Sequence, residues 1–72
     1  VDTNTTISQD EAIRIATAHA GVSNPAQIEA KLEVEHGVVV WEVEFKSGGY
    51  EYEYEINAKT GQILDYDKEI DD

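Results

Sequence analysis

A regular alternation of apolar and charged residues from Val38 to Ile56 (VVVWEVEFKSGGYEYEYEI) restricts the fold of this chain more than any other feature. Apolar residues at every second position are typical of a β-strand that buries one face and exposes the other. Ser47, Gly48 and Gly49 interrupt the alternation, and these residue types favour tight turns. The stretch therefore predicts two strands joined by a turn, with one apolar face and one acidic face.

The preceding segment, Ile28 to Glu35, alternates in the same way, and His36-Gly37 follows it as a two-residue turn. A loop of this length brings the apolar residues of the two strands opposite each other, whereas a slip by one residue would remove the agreement. The predicted pairs are Val34 with Val39, Leu32 with Trp41, Ala30 with Val43 and Ile28 with Phe45.

The same rule, applied to a loop at Ser47-Gly48, pairs the middle strand with a third strand. The predicted apolar pairs are Phe45 with Tyr50, Val43 with Tyr52, Trp41 with Tyr54 and Val39 with Ile56. On the other face, the predicted acidic pairs are Glu44 with Glu51 and Glu42 with Glu53. The two hairpins then share one apolar face.

The segment Asn57 to Gly61 (NAKTG) has the residue types of a turn, and a fourth strand follows it from about Gln62 to Asp67. A four-residue loop places Ile63 opposite Ile56. In this register the other apolar residues of the strand lie on the acidic face, unless a β-bulge moves them to the apolar face. Those residues are Leu64 and Tyr66.

An N-terminal helix is predicted from Gln9 to Ala20. Ser8 and Glu11 have the spacing of a capping box at its start, and Gly21 favours a left-handed end. Alanines recur every four residues along one stripe, which lets a helix approach a sheet closely. The stripe consists of Ala12, Ala16 and Ala20.

These elements predict an α+β fold with two layers, in which one N-terminal helix packs on a four-stranded antiparallel meander of strand order 1-2-3-4. A chain of 72 residues has room for one small domain. We assign residues 7–67 to this domain, residues 1–6 to a disordered lead or linker and residues 68–72 to an acidic, frayed tail.

The charge balance excludes some partner classes. Sixteen Asp and Glu residues against five Lys and Arg give a formal net charge of -11, which disfavours nucleic acid and anionic lipid as partners. The sequence has no apolar run of membrane-spanning length, so we expect no direct membrane insertion. Because it does not begin with Met, we expect a processed or excised part of a longer protein.

The acidic face is the candidate site for contact with a partner. Its acids could equally serve solubility and protect the sheet edges, and this alternative stays open. If the face binds a protein, its central strands carry the contact because apolar and acidic side chains project there together. The candidate partner-binding residues are Val38, Val40, Glu42, Glu44, Glu51, Glu53 and Glu55.

We predict no catalytic, cofactor-binding or metal-binding residues, and hence no enzyme. Paired carboxylates perform acid–base chemistry in clefts that shift their pKa values apart, whereas an open sheet face keeps them solvated. His19 and His36 lie in different elements, and nothing in the sequence places them together. The acids near the C-terminus lack EF-hand spacing.

Three segments of the chain resemble the PepSY domain family. They are ISQDEAIRIA from Ile7 to Ala16, VVWEVEF from Val39 to Phe45 and YEYEINAKTGQIL from Tyr52 to Leu64. The last resembles the family's ending of an apolar residue followed by Asp-Ala-x-Thr-Gly-x-apolar-apolar. Asn57 replaces the commoner Asp, and either side chain can form the same turn bond.

The resemblance implies a bacterial protein that acts in the cell envelope or outside the cell. Such domains occur in propeptides of thermolysin-type secreted metallopeptidases, in spore-germination proteins and in small envelope-attached proteins. It implies a non-enzymatic module that binds a protein, with a metallopeptidase as the candidate partner to be restrained or regulated. The alternative is a structural or sensory envelope domain whose acidic face meets cations or cell-wall polymers.

Overall fold

The computed structural model describes residues 6–71, which form one helix and one antiparallel sheet. Residues 1–5 and Asp72 lie outside the described residues, and with them most of the expected lead and the last residue of the expected tail. The elements are α1 (Gln9–Ala20), β1 (Ala26–Glu35), β2 (Val38–Ser47), β3 (Tyr50–Asn57) and β4 (Ile63–Ile70). The strand order β1-β2-β3-β4 confirms the α+β meander.

Helix α1 begins and ends where the capping residues predict. The Ser8 hydroxyl accepts a hydrogen bond from the Glu11 backbone N–H at 3.1 Å, while the Glu11 carboxylate binds the Arg14 guanidinium. Gly21 has φ of 73° and its N–H donates to the Ala18 carbonyl, which ends the helix in the left-handed conformation.

The alanine stripe of α1 packs on the apolar face of the sheet. Ala12 and Ala16 are completely buried against aromatic and aliphatic side chains of β2 and β3. The Trp41 indole N–H donates to the Ile7 carbonyl at 3.0 Å, which ties the start of the helix to the sheet. The sheet's contribution to this core consists of Val43, Phe45, Tyr52, Tyr54 and Ile56.

The first hairpin has the predicted turn, but its far end differs. His36 and Gly37 have φ values of 51° and 78°, which a type I′ turn requires, and Val34 pairs with Val39. The expected pair of Ile28 with Phe45 is wrong, because the register shifts between Ala26 and Glu29 through a β-bulge.

The predicted register of the second hairpin is wrong by two residues. The turn consists of Gly48 and Gly49, with φ of 58° and 84°, rather than Ser47 and Gly48. A type I′ turn needs positive φ at both central residues, and two glycines meet this need without strain. A shift by two residues preserves the faces, so the apolar face is as predicted. The observed pairs are Ser47 with Tyr50, Phe45 with Tyr52, Val43 with Tyr54 and Trp41 with Ile56.

The fourth strand contains the bulge that the sequence left open. Ile56 pairs with Ile63 and Glu55 with Asp65, so Leu64 is the additional residue. Beyond it, Tyr66 lies opposite Tyr54 on the helix side of the sheet. The strand continues to Ile70, which corrects the expected strand end at Asp67 and the expected fraying of residues 68–70.

We predict that substitutions at the second turn distinguish the observed Gly48-Gly49 loop from the Ser47-Gly48 loop. Gly49→Val should lower the free energy of unfolding by about 1–2 kcal/mol, because a β-branched residue is strained at positive φ. Gly48→Asn should change it by less than about 0.5 kcal/mol, since Asn-Gly suits a type I′ turn. Urea unfolding measures both. A Gly49→Val variant as stable as the wild type would favour the Ser47-Gly48 loop instead.

Candidate partner-binding face

The face of the sheet opposite α1 carries nearly all of the acidic side chains in the described part of the chain. We call it the acidic face. The register places eleven carboxylates there, and two lysines, Lys31 and Lys46, lie among them. The carboxylates belong to Glu29, Glu33, Glu35, Glu42, Glu44, Glu51, Glu53, Glu55, Asp65, Asp67 and Glu69.

The acids form rows that cross the whole sheet. Directly opposite side chains on neighbouring strands have Cβ atoms about 4.5–5.5 Å apart. One row contains Glu29, Glu44, Glu53 and Asp67, and the next contains Lys31, Glu42, Glu55 and Asp65. The predicted pairs Glu44 with Glu51 and Glu42 with Glu53 are therefore wrong, because the true partner on β3 lies two residues further along the chain. All four residues nevertheless lie on the predicted face.

The two valines predicted to project among the acids differ in exposure. Val38 is 39% exposed beside the first turn, whereas Val40 is 1% exposed. The expectation that Val40 is exposed among the acids is wrong, because this residue is already enclosed. Contact by Val38 and by the five glutamates Glu42, Glu44, Glu51, Glu53 and Glu55 stays a prediction.

Three glutamates at one end of the acidic face converge. The carboxylate oxygens of Glu33, Glu35 and Glu42 come within 4.8 Å of one another. A hydrogen bond with Glu33, then burial, then repulsion from Glu33 and Glu35 raise the pKa of Glu42 to about 7. The expectation that an open face leaves its carboxylates at ordinary pKa values is therefore wrong here. Three oxygens this close could serve as ligands for a hard cation such as Ca²⁺.

Other acids on this face experience the same kind of effect. Burial, followed by repulsion from Glu44, Glu51 and Asp67, raises the pKa of Glu53. Burial, followed by a hydrogen bond with Glu35, raises the pKa of Glu55. A hydrogen bond with Asp67 raises the pKa of Glu69. At these glutamates the acidic face therefore favours proton binding or the approach of cationic groups.

We predict that the domain becomes more stable as the pH falls from about 7 towards 4.5. Glu42 has a pKa of about 7 in the folded protein against a reference value of 4.5, so the folded state binds more protons within this window. Thermal unfolding followed by circular dichroism at several pH values measures the effect.

Glu42→Gln should flatten this pH dependence and raise the melting temperature at pH 8, because it removes one repelled charge. Asp10→Asn, which removes a carboxylate from the helix, is the control. Melting temperatures that rise with pH across the window would contradict the assignment.

Two N–H groups on the free edge of β4 donate to the strand's own side chains. Asp71 N–H donates to the Gly49 carbonyl on the β3 side, so the N–H groups of even-numbered residues point to the open edge. Two of these, Tyr66 N–H and Lys68 N–H, donate at 2.9 Å to the carboxylates of Asp65 and Asp67. The aspartates therefore compete with any added strand for these donors.

We predict that Asp65→Ala with Asp67→Ala increases self-association, because it frees two edge donors. Analytical ultracentrifugation over a range of protein concentrations measures the change. The control, Glu44→Ala with Glu53→Ala, removes two charges from the same face and leaves the edge donors occupied. Equal self-association in both variants would show that charge alone keeps the chains apart.

The helix side of β4 was the least predictable surface. His19 Nδ1 lies 2.9 Å from the Tyr54 hydroxyl oxygen, and its ring also contacts the ring of Tyr66. Lys68 Nζ lies 4.2 Å from the centroid of the Tyr50 ring. Sequence reasoning missed these contacts because it treated the histidines as isolated and did not fix the bulge at Leu64.

Comparison with known proteins gives one finding. A protein-family model described as PepSY, "Peptidase propeptide and YPEB domain", matches residues 6–67. No curated protein and no solved structure shows significant similarity to the chain. In residues 6–71, α1 is too short and too polar to cross a membrane.

Proposed function

This chain belongs to the PepSY family, and from that premise we propose that it is a non-enzymatic protein-binding module that restrains or otherwise regulates a peptidase. The family match carries the class of function, because the family description names peptidase propeptides. We place the protein in the cell envelope or outside the cell, where a secreted metallopeptidase would meet it.

The row of carboxylates from Glu29 through Glu44 and Glu53 to Asp67 supports the acidic face as the binding surface. Like charges directly opposite each other destabilise a sheet by some tenths of a kcal/mol each. A partner with basic side chains would relieve this repulsion when it binds, so the stored repulsion favours association. Charge complementarity of this kind also accelerates encounter and weakens at high salt.

The partner is expected to lie across the face rather than to extend the sheet. Asp65 and Asp67 already accept two of the edge N–H groups of β4, and the bulge in β1 interrupts the other edge. Both features are known ways of protecting sheet edges. The contact surface therefore consists of side chains, among which Val38 and Glu42, Glu44, Glu51, Glu53 and Glu55 are central.

We predict that the domain binds a secreted metallopeptidase of its source organism at micromolar concentration and slows cleavage of a peptide substrate. Glu44→Gln with Glu53→Gln should weaken this binding at least about fivefold, because two charges leave the centre of the face. Peptidase activity and calorimetry measure inhibition and affinity.

The matched control is Asp10→Asn with Glu11→Gln, which removes two charges from the helix layer and should retain wild-type affinity. Absence of binding and of slowed cleavage by the wild-type domain across the organism's secreted metallopeptidases would overturn the proposal.

A second candidate function is a structural or sensory envelope domain whose acidic face meets cations or cell-wall polymers. The convergence of Glu33, Glu35 and Glu42 favours it. This function predicts salt-sensitive calcium binding by calorimetry, accompanied by proton release at pH 7, because Ca²⁺ would displace the proton held by Glu42. A flat calcium titration would remove this candidate.

A further inference from the structure

The acidic face ends in a recess beside the bulge of β1. Between the pair Ala26 with Lys46 and the pair Glu29 with Glu44, two residues of β1 lie against one of β2. Gln27 takes φ of 52°, which is uncommon for a residue other than glycine. The bulge takes Ile28 out of the position opposite Phe45 that alternation predicts, and the residue is 42% exposed. A bulge commonly redirects a side chain in this way.

The recess has a volume of about 500 Å³ and a mixed lining. Three glutamates and one lysine contribute to its lining, and the exposed residue Ile28 supplies an apolar wall. Its lining residues are Gln27, Ile28, Glu29, Glu44, Phe45, Lys46 and Glu51.

Glu29 and Glu44 supply two acidic side chains to this recess that no ion pair in the described part of the chain compensates. They lie directly opposite each other on β1 and β2. The nearby ammonium group of Lys46 is engaged elsewhere, because its Nζ lies 3.4 Å from Asp71 Oδ1 and its strand partner is Glu51. Among residues 6–71, neither Glu29 nor Glu44 forms an ion pair. The recess therefore has a negative end next to an apolar wall.

We infer that this recess binds the side chain of an arginine presented by the partner protein, an inference that rests on the proposed function and specifies the partner's chemistry. A guanidinium group can donate several hydrogen bonds in one plane, which suits two facing carboxylates. The methylene stem of the arginine would cover the exposed part of Ile28.

Other occupants fit the recess less well. A bare metal ion gains nothing from the apolar wall of Ile28. A lysine side chain offers a compact charge that cannot donate to Glu29 and Glu44 in the same planar arrangement. The geometry thus favours arginine over lysine and over a cation.

The experiment is an NMR titration of the ¹⁵N-labelled domain with the peptide acetyl-Gly-Gly-Arg-Gly-Gly-amide. Saturable shifts are expected for the backbone amides of Gln27, Ile28, Glu29, Glu44 and Glu51. The same peptide with citrulline in place of arginine keeps the shape without the charge and should produce none of these shifts. The lysine peptide should bind several-fold more weakly. Shifts spread evenly over the acidic face, or equal shifts with citrulline, would overturn the inference.

Substitutions in the recess test whether Glu29, Glu44 and Ile28 bind the arginine side chain. Glu29→Gln with Glu44→Gln should reduce affinity for the arginine peptide at least about tenfold, because charge-assisted hydrogen bonds contribute about 1.5–3 kcal/mol. Asp10→Asn with Glu11→Gln removes two charges from the helix layer and should retain affinity within about threefold. Ile28→Ala should weaken the arginine peptide but leave binding of free guanidinium ion unchanged. Amide spectra of all variants outside the recess report that each is folded, and equal losses in the two double variants would overturn the inference.

A final comparison separates this inference from the proposed function. If Glu29→Gln with Glu44→Gln still binds and inhibits a metallopeptidase like the wild type, the arginine site is excluded while the proposed function stands. If the wild-type domain binds no secreted metallopeptidase of the organism but shows localised arginine shifts, the proposed function fails and the site remains.

Discussion

The packing of Ala12 and Ala16 on the apolar face of β2 and β3 is the contact on which the rest of the structure depends. Both alanines are completely buried, so the helix backbone lies close enough to the sheet for Phe45, Tyr52 and Tyr54 to fill the space between the layers. Burying three aromatic rings and several aliphatic side chains contributes a large share of the hydrophobic stabilisation that so small a domain can obtain. Once this face is fixed, the period of two in the strands sends the glutamates to the other side.

That consequence explains why the acidic face tolerates its own repulsion. The free energy gained by the core exceeds some tenths of a kcal/mol for each opposed pair of glutamates, so the sheet forms despite rows of like charge. A hydrogen bond with Glu33, burial, and repulsion from Glu33 and Glu35 together raise the pKa of Glu42 to about 7. A surface that already favours protons also favours other positively charged groups, and this links the physical chemistry of the sheet to the proposed binding of a basic partner.

The fold was predictable because it follows from the alternation of apolar and charged residues, which assigns side chains to the two faces even when the strand register is wrong by two residues. A slip of two residues at Gly48-Gly49 left every side chain of the second hairpin on the predicted face, even though the individual pairs differ from those predicted. The Asn57 turn was predictable residue by residue, since Asn57 Oδ1 accepts from the N–H groups of Lys59 and Thr60 as its side-chain chemistry suggests. The burial of Val40 and the convergence of Glu33, Glu35 and Glu42 were not predictable, because both depend on side-chain packing across strands.

The two bulges limit sequence prediction most strongly, and they also shape the candidate binding surface. Without the bulge at Leu64, Asp65 would lie opposite Tyr54 on the helix side rather than opposite Glu55, and the carboxylate rows would end at β3. Without the bulge at Gln27, Ile28 would pack towards the core and the recess would lose its apolar wall. The alternation determines which face is apolar and which is acidic. The two bulges determine how many strands contribute acids to the acidic face and where that face contains a recess. Because neither bulge contains glycine, the residue types do not predict them. The bulges and the recess beside Gln27 are therefore seen only in the structure.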